Sequence, residues 1–174
     1  GRGPEPNRVD AASHIGVARD LAAYLRSRGE RTEVKWPDVS AFAVDNHDLP
    51  VAIRVENHEA CPRYVGVTVS GCKIGPSPEW MQNCLRAAGI NPKNNLVDIT
   101  NFVLFELGQP LHAFDAAKIE GREVVVRTCA EGTPFVTLDG VERKLTDKDL
   151  MICSAERPMC IAGVFGGLDS GISE

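Results

Sequence analysis

The stretch N-N-L-V-D-I-T-N-F-V-L-F-E-L-G-Q-P-L-H-A-F-D, from Asn94 to Asp115, sets the reading of this chain. Leu96, Val97, Thr100, Val103, Leu104 and Leu107 share one face of a 3.6-residue helix, and Gly108 is placed to end it. Asn95 is the expected N-cap, because its side-chain oxygen can accept an orphan amide of the first turn. Gln109-Pro110-Leu111-His112 then turns the chain and delivers an imidazole just past the helix end. Two readings stay open for the polar groups. Thr100 bonding back to its own helix, Asn101 on the surface and a buried, satisfied His112 would make an ordinary amphipathic helix and turn. The same groups aimed inward beside a rigid turn would make a pocket.

Outward from this helix the pattern is helices early and strands late. Asp10 or Ser13 opens a helix with Ile15, Ala18, Leu21, Ala22 and Leu25 on one face, closed by Gly29. Ser77-Pro78-Glu79 gives an N-cap, a proline at the first helical position and an acid in the first turn of a helix that stops at Gly89. Residues 51–56 and 63–70 alternate with period two and read as strands. Further short strands are expected over residues 123–127, 133–138, 141–145, 150–153 and 160–165, with Asp139-Gly140 as a hairpin turn. The expected fold is α+β, with mixed sheets or a β-sandwich-like core and a few flanking helices. Residues 1–35 read as a helical lead-in and residues 36–174 as the main domain.

Composition narrows the function classes. The chain has 174 residues with 43% hydrophobic and 25% charged, ordinary for a globular fold. No stretch approaches the ~18 apolar residues of a membrane span. A net charge of −5 argues against autonomous tight grip on a nucleic-acid backbone, which needs phosphate neutralisation. Arg19, Arg26, Arg28, Arg31 and Lys35 form the one basic concentration, readable as a solvated face near a helix end. Six cysteines show no C-x-x-C pair and no zinc-module spacing, so reduced, mostly buried thiols and no metal site are expected. The polar start and the end at Glu174 read as cuts from a longer protein.

A second constellation is Ala162-Gly163-Val164-Phe165-Gly166-Gly167. One reading is a tight turn that only glycine can make. The other is a wall where a ligand lies directly against backbone. No G-x-G-x-x-G opens a helix here, so it is not a dinucleotide fingerprint.

The residue 94–115 stretch also resembles the central part of the beta chain of bacterial phenylalanyl-tRNA synthetases, with Phe102 where that family usually has Tyr. The likeness continues through Pro6-Asn7-Arg8, Gly16 to Ala22, Cys61-Pro62-Arg63-Tyr64, Ser77-Pro78-Glu79-Trp80, Thr137-Leu138-Asp139-Gly140 and Ala162 to Gly167, essentially the whole chain. It implies an editing domain that hydrolyses tyrosine wrongly esterified to tRNA(Phe). The implied pocket is lined by residues corresponding to Thr100, Asn101, Pro110, His112, Leu138, Ala162, Gly163 and Gly166. His112, Thr100 and Asn101 would carry the catalytic work; Pro110, Leu138, Ala162, Gly163 and Gly166 would bind substrate. The implied partners are the tRNA(Phe) 3′ end and an alpha chain, in a cytoplasmic heterotetramer of two alpha and two beta chains. No cofactor is expected in this segment; ATP and Mg belong to the complete synthetase. The family's pocket glutamate lies beyond Glu174, so the isolated chain is expected to be inactive. A noncatalytic RNA- or protein-docking module of the same synthetase is the alternative. An unrelated hydrolase lacks support, since no nucleophile elbow and no convincing Cys–His pairing is present.

Overall fold

Ser13 caps the first helix, accepting from the amide of Gly16, and α1 runs over His14–Ser27 as its apolar spacing requires. The computed structural model describes residues 8–172; Pro6, Asn7 and Glu174 lie outside them. The chain divides into two compact units. One joins the residues up to Asp45 with Ile74–Leu111, and the other joins Asn46–Lys73 with the residues from His112 onward.

The first unit is helical. α2 spans Glu79–Ala87 and α3 spans Asn95–Leu107. Trp80 and Phe102 meet edge to face at 5.4 Å, and Met81 and Leu85 are buried. The α3 cap falls one residue earlier than the sequence indicates: Asn94 accepts from Val97 N, while Asn95 turns its oxygen to the amides of Gly75 and Leu96. Gly108 ends the helix in the left-handed region, as expected. Ser77 does not cap α2. Its hydroxyl donates instead to the buried Asp98 carboxylate at 2.5 Å, a stronger acceptor than a helix amide is a donor.

The second unit is built on a five-stranded mixed sheet in the order β1-β2-β5-β6-β7. Its strands are β1 Ala52–Val55, β2 Glu123–Thr128, β5 Leu150–Cys153, β6 Pro158–Ile161 and β7 Phe165–Gly166. β1 runs parallel to β2 and the other pairings are antiparallel. The hairpin of β3 (Pro134–Val136) and β4 (Glu142–Lys144) turns at Asp139-Gly140, as the sequence indicates. Alternation along the strands gives the sheet two apolar faces. On one, Val125, Met151 and Cys153 pack with Phe135 and Leu145 of the hairpin layer. On the other, Val124, Ile152, Met159 and Cys160 pack with Ile119, under Tyr64, Phe114 and Ala162. Each such fully buried aliphatic side chain contributes ~1.5–3 kcal/mol. The α+β expectation with mixed sheets holds.

Three further local expectations fail. Residues 160–165 are not one strand: β6 ends at Ile161 and the chain reverses into β7. Residues 63–70 join no ladder among the described residues. Of the six thiols only Cys153 and Cys160 are buried; Cys72 and Cys84 are exposed, with Cys84 on the outer side of its helix.

Candidate functional site

His112 opens the second segment of the second unit, and its ring lies 4.4 Å from that of Phe114 at a tilt of 55°. Phe114 in turn packs on the cluster around Ile119 and Val124, which fixes the aromatic shelf under the imidazole. Gly166 of β7 faces this shelf. A methyl group built on Gly166 would stand 2.7 Å from His112 Cε1 and 2.9 Å from Leu138 Cδ1. Only a bare backbone allows those two side chains to sit where they do. His112, Leu138 and Gly166 therefore form one wall.

His112 is exposed rather than buried, and its imidazole makes no hydrogen bond to another described residue, which leaves its nitrogens to solvent or a ligand. The part of the ring turned toward the wall is removed from water, which lowers its pKa from the ordinary 6.5 and keeps it neutral at pH 7. A neutral ring with both nitrogens unclaimed can accept from water or donate to a ligand.

Leu138 is held from below. Its amide donates to the carbonyl of Gly166 at 3.0 Å, tying the hairpin tip to β7. Buried Thr137 donates to Asp139 Oδ1 at 2.5 Å and receives Arg143 Nε at 3.1 Å, while Arg143 Nη2 reaches Asp139 Oδ2 at 3.0 Å. This clamp also holds the Asp139 carboxyl below its usual value, first through the Thr137 hydroxyl. Leu138 itself remains 50% exposed, a leucine presented outward on a rigid support. Neither Arg143 nor Phe114 was singled out in the sequence; the T-L-D-G tetrapeptide was the signal that pointed at the clamp.

The glycine run divides its labour. Gly163 adopts φ 69° in the turn where Val164 N donates to Ile161 O, and a methyl group built on it would meet only open space. Gly166 is absent from the left-handed glycines and is required by close approach instead. The tight-turn reading holds at Gly163, while Gly166 is small because His112 and Leu138 crowd it. Ala162 packs on the same cluster as Phe114 and donates to Leu150 O.

Thr100, Asn101 and Pro110 stand in the other unit. Thr100 Oγ1 donates to Val97 O at 2.7 Å, the back-bonding arrangement, and Asn101 is half-buried. Pro110 is exposed. Sequence reasoning passed over Asp98, whose carboxylate is 1% exposed and accepts from Ser77 Oγ and from Lys93 N at 2.8 Å. Its acidic charge in a first turn was visible; its burial was not.

Two open grooves, of about 410 and 300 Å³, include none of His112, Leu138 and Gly166 in their linings. Burial pushes the Cys160 thiol up to about 11 and Tyr64 up to about 12, so neither is anionic at neutral pH. Among the described residues no three His, Cys, Asp or Glu side chains gather as a metal site would need, and no helix is long and apolar enough to cross a membrane.

The model of the B3/4 domain family matches residues 60–174. A phenylalanine–tRNA ligase beta subunit of Bacteroides fragilis is 63% identical over 169 residues, covering 97% of this chain and 21% of that protein. Beta subunits of Porphyromonas gingivalis and Carboxydothermus hydrogenoformans are 59% and 44% identical, again over 97% of this chain and 21% and 20% of their own lengths. The chain thus spans about a fifth of the curated relatives it matches.

Proposed function

We infer a function from one premise: the chain belongs to the B3/4 domain family. We propose that it is the editing segment of a phenylalanine–tRNA ligase beta subunit and hydrolyses tyrosine wrongly esterified to tRNA(Phe), with residues 36–174 as the editing domain and residues 1–35 as its lead-in. The observation that carries the reading is a neutral, unbonded His112 set against the Gly166 backbone beside an outward Leu138.

Physical need supports it. A synthetic pocket shaped for an apolar ring rejects an added hydroxyl only about 100-fold. A second site that hydrogen-bonds the phenol reverses the preference, since phenylalanine would leave its polar groups unpaired. An aminoacyl ester is already activated, so the site has to place a water and screen the developing oxyanion. In this reading the unclaimed His112 nitrogens order the water or the terminal adenosine. Leu138, Gly166 and the Ala162-Gly163 backbone form the apolar side. Thr100 and Asn101 position the reacting groups and Pro110 contributes to binding; resemblance alone assigns these three.

The complete enzyme would charge tRNA(Phe) in the cytoplasm as a ligase of two alpha and two beta chains, using ATP and Mg outside this segment. The test is deacylation of Tyr-tRNA(Phe) by the complete enzyme. His112→Ala should slow it by about 100-fold or more while phenylalanine charging stays unchanged. Absence of deacylation by the wild-type enzyme, with tRNA still bound, would leave the domain as a docking module.

A further inference from the structure

Residues 63–70 carry the clearest strand pattern that the fold leaves unused. Val65, Val67 and Val69 are 65%, 61% and 68% exposed, in a row of alternate positions. Two alternate positions face the sheet instead: Tyr64 packs on the sheet cluster, and a methyl group built on Gly66 would stand 2.8 Å from Ile53 Cδ1 of β1. The segment therefore lies against the edge strand of the sheet, since β1 pairs with β2 alone among the described residues. From Tyr64 to Ser70 no backbone hydrogen bond is made among the described residues. No charged residue occurs between Arg63 and Lys73.

We propose that Arg63–Ser70 is a docking strand, and that its occupant is a β-strand from the part of the same polypeptide outside this chain. That strand would complete a ladder with residues 64–70 and cover the three valines with alternate apolar side chains. An uncharged apolar row with free backbone groups is an aggregation template unless it is covered. The relatives are about five times as long as this chain, so most of the polypeptide is available to cover it. A tethered strand also acts at millimolar effective concentration, well above a separate protein in a cell. The inference stands independently of the editing reading, because its test reads backbone protection and proximity, not hydrolysis.

Amide exchange of the unmodified complete subunit, without its partner chain, is the first measurement. Amides of Val65 to Val69 should exchange slower than unprotected amides by on the order of 100-fold or more. A photo-crosslinking amino acid at Val69 should then join to a peptide of the same polypeptide outside residues 1–174. Unprotected exchange overturns the proposal. So does a crosslink to a second copy, to another protein, or to a peptide within residues 1–174.

Discussion

One methyl group at Gly166 should separate the candidate site from the fold that supports it. Carbon atoms pack best at about 3.5–4.0 Å. Built at 2.7 Å from His112 Cε1 and 2.9 Å from Leu138 Cδ1, the new carbon forces each to retreat by roughly 0.6–0.8 Å or more. Both obstacles are side-chain ends and can rotate, at about 0.5–1.5 kcal/mol for each off-rotamer angle. The backbone is no obstacle, because Gly166 is not in the left-handed region, and restricting the unfolded chain returns about 0.4–1 kcal/mol. The net loss is on the order of 1 kcal/mol, a fall of roughly 2–4 °C in Tm at this size. Function should respond far more steeply. A misplacement near 1 Å costs about 100-fold where geometry carries the rate.

Tyr-tRNA(Phe) hydrolysis by the complete Gly166→Ala enzyme should therefore fall about 100-fold, with phenylalanine charging intact. Gly163→Ala is the comparison. It forces a side chain into φ 69° at about 1–2 kcal/mol with nothing nearby to displace, so it should melt at least as low yet edit far better. Adding His112→Ala to Gly166→Ala should recover part of the lost stability and none of the hydrolysis. Wild-type editing by a Gly166→Ala enzyme that keeps its melting temperature would remove this wall from the chemistry.

Other consequences are more briefly stated. Arg143→Met removes its bonds to Thr137 and Asp139; as the ion pair is exposed the melting temperature should hardly change, while discrimination between Tyr- and Phe-tRNA(Phe) narrows in a deacylation assay. Because burial lowers the His112 pKa, editing should persist below pH 6.5 and fail once the folded ring protonates, and His112→Gln should remove that limb of the pH–rate profile. The sign for stability agrees. The unfolded chain takes up its proton near 6.5 first, so the contribution is intact above that pH and is lost as pH falls through the lowered value. Thr100→Val deletes the hydroxyl that donates to Val97 O while keeping the shape; single-turnover hydrolysis should drop roughly 10-fold, and an unchanged rate would return Thr100 to a purely helical role.

What the sequence revealed and what it hid follow from the range of each signal. The three helices were legible because a 3.6-residue stripe and its caps are local, and even the misplaced cap moved only from Asn95 to Asn94. The run from Cys160 to Phe165 read as one strand because apolar periodicity does not register a reversal; Gly163 at φ 69° makes it, and glycine type alone could not say which of three glycines would. Residues 63–70 read as a strand for a sound reason, since alternation reports which faces are apolar. Pairing is a property of two segments, and alternation in one of them says nothing about the other. The site shows the same division. Family likeness named His112, Leu138 and Gly166, and their convergence follows from long-range register: Leu138 meets β7 only because Thr137 bridges Gly167 and its own amide binds Gly166. No periodicity carries that contact. A residue that looks dispensable in sequence, Arg143 of the hairpin, bonds both neighbours of that leucine, Thr137 and Asp139.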